Sequence, residues 1–261
     1  MKIKAKKSLG QNFLIDKNIL KKISDLILLN KNSNIVEIGP GTGALTEFLI
    51  RKKTKNITII EKDFNLAKNL KKKFNEKVKV INEDILKFND SKIFSAQTVV
   101  CGNLPYNISS QILVNFILNP YQFKFEKLIF MFQKEMAERI IGKYGTKKYG
   151  RLSILTNYKL NVLKSFDVSP NCFFPVPRVL STVISFRPKT KVLKIKKMQN
   201  LEKISNILFS GKRKMINKNM KKLFNKKDFD YISNNIELNL RPSELKPEIF
   251  YKITEFYEKV N

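Results

Sequence analysis

Polar side chains follow three hydrophobic stretches of the chain, at positions where they could hold a nucleoside. Glu61 ends the second stretch, 22 positions after Gly39, where a carboxylate would accept hydrogen bonds from both hydroxyls of a ribose. Asp84 ends the third stretch, where it would accept from an adenine amine, and Asn103 ends the fourth. Each residue taken alone is better explained as a solvated loop acid or a turn former. Their recurrence at successive strand ends predicts one ligand site, because open α/β sheets bind ligands along that edge.

A glycine-rich turn precedes these residues. The chain runs from a hydrophobic stretch at 34–38 through Gly39, Gly41 and Gly43 into a helical pattern. Glycines permit the tight turn and let a ligand lie against bare backbone. The spacing G-x-G-x-G differs from the G-x-G-x-x-G of a dinucleotide site, and a structural strand–helix turn is the alternative. Together with the three later residues, the turn predicts a nucleoside cofactor pocket.

The elements that position these residues alternate between strand and helix. Strands are predicted at residues 34–38, 57–61, 78–82, 98–102 and 127–132, with two more around 151–164 and 180–186. Helices are predicted at 45–53 and 64–74, among others. This alternation predicts a parallel sheet with helices on both faces, which is an α/β fold. After residue 188 the apolar spacing becomes helical, which predicts a first domain at 1–188 and a small helical domain at 189–261.

The segment after the fourth strand has residue types suited to a reaction at an amine. Asn103-Leu104-Pro105-Tyr106 resembles the Asn/Asp-Pro-Pro-Tyr tetrapeptide of enzymes that methylate exocyclic amino nitrogens of bases. The Asn103 side-chain oxygen and the Leu104 carbonyl can accept the two N–H groups of an aromatic amine, whose lone pair is otherwise delocalised. Pro105 fixes the turn, and Tyr106 offers a ring on which an extruded base stacks. A sulfonium donor leaves as a neutral group, so positioning for in-line transfer is the main requirement.

These motifs, with several others, resemble the KsgA/RsmA family of ribosomal RNA small-subunit adenine dimethyltransferases along essentially the whole chain. The opening run 6–16 is similar to the cofactor-covering segment of the family, and further signatures match at 149–153, 173–181, 208–214 and 241–245. The resemblance implies six contacts with S-adenosylmethionine: Asn12, Leu14, Gly39, Glu61, Asp84 and Asn103. It also implies that Phe173 joins the catalytic tetrapeptide and covers the other face of the target base, with a core position as the alternative.

The same resemblance implies a fold and a reaction. The fold is a Rossmann-like class I S-adenosylmethionine-dependent methyltransferase domain with a small C-terminal helical domain. The reaction is N6,N6-dimethylation of two neighbouring adenosines in the 3′-terminal hairpin of 16S ribosomal RNA, within the immature 30S subunit. The protein is expected to be monomeric off the ribosome and to take part in small-subunit biogenesis. Three residues depart from the usual pattern: Thr42, Gly211 and Lys212.

The charge of the chain indicates a polyanionic partner. The sequence has 51 basic and 22 acidic residues, a net charge of +29. Lysine supplies 44 of the 51, so A/T-rich codon usage is an alternative source of the charge. Residues 187–227 nevertheless hold fifteen Lys or Arg and one acid, and this segregation favours RNA binding. Within that tract, the run Lys212-Arg213-Lys214 is the predicted RNA-binding segment.

Composition excludes several other classes of function. The chain has no histidine and two cysteines, which excludes histidine-based catalysis and predicts neither a metal site nor a disulfide framework. No apolar run approaches the roughly 20 residues that span a bilayer, and the basic N-terminus has no apolar segment behind it. We therefore expect a cytoplasmic protein without a membrane partner.

Three alternatives remain open at this level. A methyltransferase of the erythromycin-resistance type modifies an adenine of large-subunit RNA and shares Asn-x-Pro-Tyr, but the runs 8–14, 39–41 and 149–153 favour the small-subunit group. A ribosome-assembly or transcription factor on the same scaffold need not be catalytic, although every cofactor position here carries a competent residue. A DNA amine methyltransferase is the third alternative.

Overall fold

The structure is a computed structural model that describes residue 6 and residues 10–29, 32–190 and 195–261. The chain forms two compact units. The first comprises Met1–Ala137 and Val162–Pro188, and the second comprises Glu138–Asn161 and Lys189–Asn261. Within the described ranges, no helix is long and apolar enough to cross a membrane.

A seven-stranded sheet is the centre of the first unit. Its order is β4-β3-β2-β5-β6-β9-β7, and a separate two-stranded sheet pairs β1 with β8. The neighbours from β4 to β6 are parallel, whereas β9 is antiparallel to β6. The strands are β1 (Phe13–Leu14), β2 (Asn34–Ile38), β3 (Asn56–Glu61), β4 (Lys79–Asn82), β5 (Thr98–Asn103), β6 (Lys127–Gln133), β7 (Leu160–Val168), β8 (Phe173–Phe174) and β9 (Ser181–Pro188).

Helices of the first unit begin where the sequence supplies caps. The Asp16 carboxylate accepts hydrogen bonds from the Asn18 and Ile19 amides and starts α1, and Asp63 caps α3 in the same way. The helices that begin in this unit are α1 (Lys17–Asp25), α2 (Ala44–Leu49), α3 (Phe64–Phe74), α4 (Ser109–Leu118) and α5 (Lys134–Ile140). Short 3-10 helices lie at Asn75–Lys77, Ser91–Ile93 and Pro170–Cys172.

Helices cover both faces of the sheet, as the alternation along β6 shows. Ile129 and Met131 belong to a buried cluster that includes Leu20 of α1. The intervening Phe130 points to the opposite face, where its ring centroid lies 5.8 Å from that of Phe116 on α4. Apolar residues at every position of such a strand indicate burial on both faces. The predicted α/β layering is therefore confirmed, with β9 as an antiparallel addition.

The five strands predicted before residue 133 are all present within one residue of their predicted bounds. The strand predicted around 151–164 is wrong over its first part, since Arg151–Lys159 is a helix, α6, and the strand β7 begins at Leu160. Five of the nine residues of α6 are buried, so its apolar positions do not follow a single helical stripe. The last predicted strand forms as β9, from Ser181 to Pro188.

The second unit is helical. It contains α6, α7 (Met198–Phe209), α8 (Asn217–Met220), α9 (Lys226–Ser233), α10 (Pro247–Val260) and a 3-10 helix at Pro242–Glu244. The Phe209 and Phe250 rings stack with centroids 5.6 Å apart, and the Tyr251 hydroxyl donates to the Ile154 carbonyl at 3.2 Å. The first contact joins α7 to α10, and the second joins α6 to α10. Residues 138–161 therefore belong to the second unit, together with the residues after 188.

The sheet reverses its direction of winding beside β2. The chain proceeds from β2 to β3 and β4 on one side, whereas β5 and β6 lie on the other side. In open α/β sheets, ligands bind beyond the carboxyl ends of the strands at such a switch point. The carboxyl ends of β2, β3 and β5 carry Ile38, Glu61 and Asn103.

Candidate active site

A cavity lies at the switch point and brings the predicted residues together. Its walls include all six predicted cofactor residues and the tetrapeptide: Asn12, Leu14, Gly39, Glu61, Asp84, Asn103, Leu104, Pro105 and Tyr106. These residues come from the N-terminal segment and from the ends of four strands. Their assembly in one cavity is the arrangement that the sequence predicts.

The glycine loop passes close to other groups in the site. Gly41 has a φ of +58°, and a Cβ there would lie 2.8 Å from the Phe13 ring. A side chain at position 41 would therefore collide with the Phe13 ring of β1, and the positive φ also favours glycine there. Thr42, one of the departures from the family pattern, also lines the cavity.

Gly102 is a functional residue that the sequence reasoning missed. A Cβ on Gly102 would lie 2.4 Å from the Ile38 backbone oxygen, so only glycine lets β5 approach β2 this closely. Asn103 follows immediately, and its position depends on that approach. The sequence contains one signal for this role, because a glycine inside a strand often marks a place where another backbone approaches closely.

Glu61 presents a buried carboxylate to the cavity. One of its oxygens accepts from the Gly41 amide at 3.1 Å, and the other accepts from the Asp63 amide at 2.9 Å. Burial raises the pKa of Glu61, and these backbone hydrogen bonds only partly offset that effect. A carboxylate has about four acceptor sites, so both oxygens can still accept from ribose hydroxyls.

Asp84 has a different environment at the end of β4. Burial acts to raise its pKa, but the Lys62 ammonium, 2.8 Å away, and the Leu86 amide outweigh it and hold the pKa of Asp84 below the ordinary value. Asp84 is therefore ionised at neutral pH. It can accept from an amine while Lys62 balances its charge.

Asn103 is oriented by the N-terminal segment. Its Nδ2 donates to the Asn12 carbonyl at 2.8 Å, which leaves Oδ1 as the acceptor of the amide. Nearby, the half-buried Tyr106 hydroxyl lies 2.6 Å from the Ser181 hydroxyl, and burial raises the pKa of Tyr106. Both side chains are thus fixed by hydrogen bonds at their polar ends.

Phe173 does not lie where the family resemblance implies. It is 1% exposed, belongs to the same buried cluster as Leu14, and is absent from the cavity wall among the described residues. Because β8 pairs with β1, strand alternation turns Phe173 inward and leaves Phe174 59% exposed. The structure thus has Phe173 in the core position that was the alternative for this residue.

Comparison with known proteins identifies the family of the chain. The sequence profile of a family described as ribosomal RNA adenine dimethylase matches residues 2–259. The chain belongs to the ribosomal RNA adenine dimethylase family. It is 46% identical over 259 residues to the ribosomal RNA small subunit methyltransferase A of Pelagibacter ubique, covering 99% of this chain and 98% of that protein. It is 42% identical over 262 residues to the protein of the same name from Malacoplasma penetrans, covering 97% and 93%.

Two solved structures share the fold of this dimethylase. A dimethyladenosine transferase from Plasmodium falciparum superposes with a TM-score of 0.79 at 27% identity, covering 95% of this chain and 98% of that one. The 23S rRNA methyltransferase ErmE superposes with a TM-score of 0.68 at 23% identity, covering 95% and 100%. The predicted Rossmann-like methyltransferase fold is confirmed.

S-adenosylmethionine is the cofactor of this dimethylase. The cavity fits it on structural grounds. A buried carboxylate, Glu61, is suited to the ribose hydroxyls, and Asp84 is suited to the adenine amine. The bare backbone of Gly39 and Gly41 leaves room for the ligand at the end of β2.

Glu37 is a second buried acid in the cavity wall. It is 2% exposed and accepts a hydrogen bond from the Thr46 hydroxyl at 2.6 Å, which links β2 to α2. Burial raises the pKa of Glu37 to about 7, even though the Thr46 hydrogen bond acts in the opposite direction. Glu37 therefore titrates near neutral pH in the folded dimethylase.

We expect Glu37→Gln to flatten the pH dependence of stability. Because the folded-state pKa of Glu37 lies above its ordinary value of 4.5, its contribution is complete below that value and is lost as the pH rises through about 7. Between pH 5 and 8 the wild type should lose about 2–3 kcal/mol that the glutamine variant does not lose. Urea unfolding of both proteins at the two pH values measures the difference. Parallel pH profiles would show that Glu37 is ionised throughout this range.

Proposed function

We propose that this dimethylase transfers methyl groups to the N6 amines of two adjacent adenosines in the 3′-terminal hairpin loop of 16S rRNA, within the immature 30S subunit. The orientation of Asn103 is the observation that carries the proposal. Its Nδ2 is bound to the Asn12 carbonyl and, among the described residues, its Oδ1 has no donor, so Oδ1 can accept from an amine beside the cofactor cavity. The small-subunit assignment is supported by relatives named ribosomal RNA small subunit methyltransferase A.

The residues of the chain position the amine and do not activate it by proton abstraction. Bound S-adenosylmethionine supplies an electrophilic methyl group on a sulfonium centre. In the first transfer, the Asn103 Oδ1 and the Leu104 carbonyl accept the two N–H groups of the adenine amine and favour a pyramidal nitrogen with an available lone pair. In the second transfer, one of the two accepts the single N–H that remains. At each transfer the methylated nitrogen releases one proton to solvent. Tyr106 stacks against the extruded base, and the Ser181 hydroxyl holds the far end of its ring. Effective concentration and orientation then supply most of the rate enhancement.

We further propose that the second unit contributes RNA contacts through Lys212, Arg213 and Lys214. All three side chains are exposed and lie between α7 and α8. Among the residues that the structure describes, none of them forms an ion pair. The rest of the basic tract is consistent with this role, although its residues 191–194, like the lysines at 2, 4 and 7, lie outside the described residues.

We place the enzyme in the cytoplasm as a monomer that meets its substrate during assembly of the small subunit. The support is the rRNA substrate of the family. The fold is compatible with both alternatives, because ErmE has it and a non-catalytic assembly factor would have it as well. The two alternatives differ from the proposal in what is methylated.

The test is methyl transfer from labelled cofactor to immature 30S particles, naked 16S RNA and 50S particles. We expect labelling of 30S particles, with dimethyladenosine as the product and two modified nucleosides per particle by mass spectrometry of digested RNA. Labelling confined to 50S particles would establish the large-subunit alternative. An absence of transfer to every substrate, with cofactor binding intact, would establish the non-catalytic alternative.

A further inference from the structure

A second concavity lies at the opposite edge of the sheet. We call it the amino-end groove, and its volume is about 660 Å³. Five of its lining residues are lysines and one is acidic, which gives a net charge of +4 at neutral pH: Lys52, Lys55, Lys77, Lys79, Lys92 and Glu76. The lysines come from three separate segments, at 52–55, 77–79 and 92, so the groove is formed by the fold and not by one basic run.

Each segment is fixed by the elements around it. Lys52 follows α2, and Lys55 precedes β3, where the Lys55 amide donates to the Ser33 carbonyl at 3.0 Å. Lys77 is the last residue of the 3-10 helix before β4, and Lys79 is the first residue of β4. Lys92 is in the 3-10 helix before β5. The amino ends of neighbouring parallel strands meet at one edge, which is why these lysines converge.

Unlike several other lysines of the same unit, the lysines of the groove are not neutralised by acidic side chains in the part of the chain that the structure describes. Among the described residues, Lys55, Lys77, Lys79 and Lys92 form no ion pair, either with Glu76 or with another acid. Elsewhere in the unit lysines are paired at 2.6–2.9 Å: Lys6 with Asp63, Lys21 with Asp25, Lys62 with Asp84, Lys73 with Glu47 and Lys134 with Asp167. A/T-rich codon usage explains why lysine is abundant in the chain. It does not explain why lysines from separate segments meet in one groove without forming ion pairs to any described residue.

The groove and the cofactor cavity lie at the two ends of the same strand. Asn56, Ile57 and Thr58 of β3 line the groove, whereas Ile60 and Glu61 of the same strand line the cavity. At about 3.3 Å per residue, the first and last residues of this strand are about 16 Å apart. That exceeds the Debye length of about 8 Å at physiological salt, so the charges of the groove are largely screened from a ligand in the cavity and the groove is a separate site.

We propose that the amino-end groove binds backbone phosphates of the rRNA substrate, at a segment separate from the nucleotide that enters the cavity. The positive charges gathered in the groove repel one another, and a bound polyanion offsets this electrostatic repulsion. Each lysine that neutralises a phosphate also releases counterions, which favours binding. The inference rests on the proposed function, because it takes the rRNA to be the substrate. The groove adds a second, sequence-independent contact that helps to orient the RNA.

A variant that removes the convergent charge tests the proposal. K55Q/K77Q/K79Q keeps polar, unbranched side chains that are one atom shorter and removes three charges from the groove. Its matched control, K68Q/K124Q/K164Q, removes three exposed lysines that are dispersed over the same unit and are also unpaired among the described residues. The measurement is the affinity for immature 30S particles and for 16S RNA over a series of salt concentrations. Cofactor affinity and the thermal midpoint of each variant report whether the fold is intact.

We expect the groove variant to bind RNA roughly tenfold or more weakly at physiological salt, with the salt slope reduced by about two for three lost phosphate contacts. The control should keep the wild-type slope. Equal slopes in the groove variant and the wild type would overturn the proposal, as would an equal reduction in the control. If the wild type itself neither binds nor methylates small-subunit RNA, the proposed function is wrong. If the wild type does both and the groove variant behaves like the wild type, the proposed function stands and the groove proposal is wrong.

Discussion

Asn103→Ala should lower the turnover of adenine methylation by about a hundredfold or more. The variant loses an acceptor that is used chiefly as the nitrogen approaches its transition state, and loss of one such preorganised group typically costs a factor of roughly 10²–10³. The fold should survive, because the side chain is at a strand end and is not in the core. Single-turnover transfer from labelled cofactor to saturating 30S particles measures the rate directly.

Asn103→Asp is the control that separates the two roles of the amide. An aspartate keeps an acceptor oxygen for the amine but cannot donate to the Asn12 carbonyl. If the acceptor is what matters for chemistry, the aspartate variant should retain far more activity than the alanine variant. Calorimetry with the cofactor shows whether either change weakens the pocket, since Asn103 also lines it. Near-normal dimethylation by Asn103→Ala would overturn the proposed mechanism.

The cofactor cavity could be predicted from sequence because its residues are tied to strand ends. Gly39, Glu61, Asp84 and Asn103 each stand at or just after the last residue of a β-branched run. Parallel strands necessarily bring such ends to one edge. The strands were found because short hydrophobic runs bounded by polar residues are a strong local signal. The hydrogen bonds that orient these side chains, such as the one from Asn103 to the Asn12 carbonyl, could not be predicted in this way.

The features that sequence missed depend on tertiary contacts. Phe173 is part of a signature, but only its pairing in β8 with Leu14 of β1 reveals that it faces the core. The 151–159 segment is apolar on several sides, and its role as a helix of the second unit follows from packing on α7 and α10. The amino-end groove was equally hidden, since Lys55, Lys79 and Lys92 are far apart in the chain.

Glu61→Ala should weaken the binding of S-adenosylmethionine more than any other single change in the cavity. Two charge-assisted hydrogen bonds to ribose hydroxyls contribute about 1.5–3 kcal/mol each, so the expected loss in affinity is roughly a hundredfold to ten-thousandfold. The alanine variant also leaves the Gly41 and Asp63 amides without their acceptor. For that reason the fold must be checked by thermal unfolding before the calorimetric titration is interpreted.

Glu61→Gln distinguishes the charge of the carboxylate from its shape. Glutamine keeps the volume but only one acceptor oxygen, so one of the Gly41 and Asp63 amides loses its acceptor, and thermal unfolding of this variant must also be checked. The pH dependence of binding gives an independent test. Burial raises the pKa of Glu61, and protonation removes the negative charge that the ribose hydroxyls donate to. Cofactor affinity of the wild type should therefore fall as the pH is lowered through this raised pKa. The affinity of Glu61→Gln should be lower than that of the wild type at neutral pH and should change little with pH. Unchanged affinity in a folded Glu61→Gln, together with a flat wild-type profile, would mean that the ribose is held by other groups.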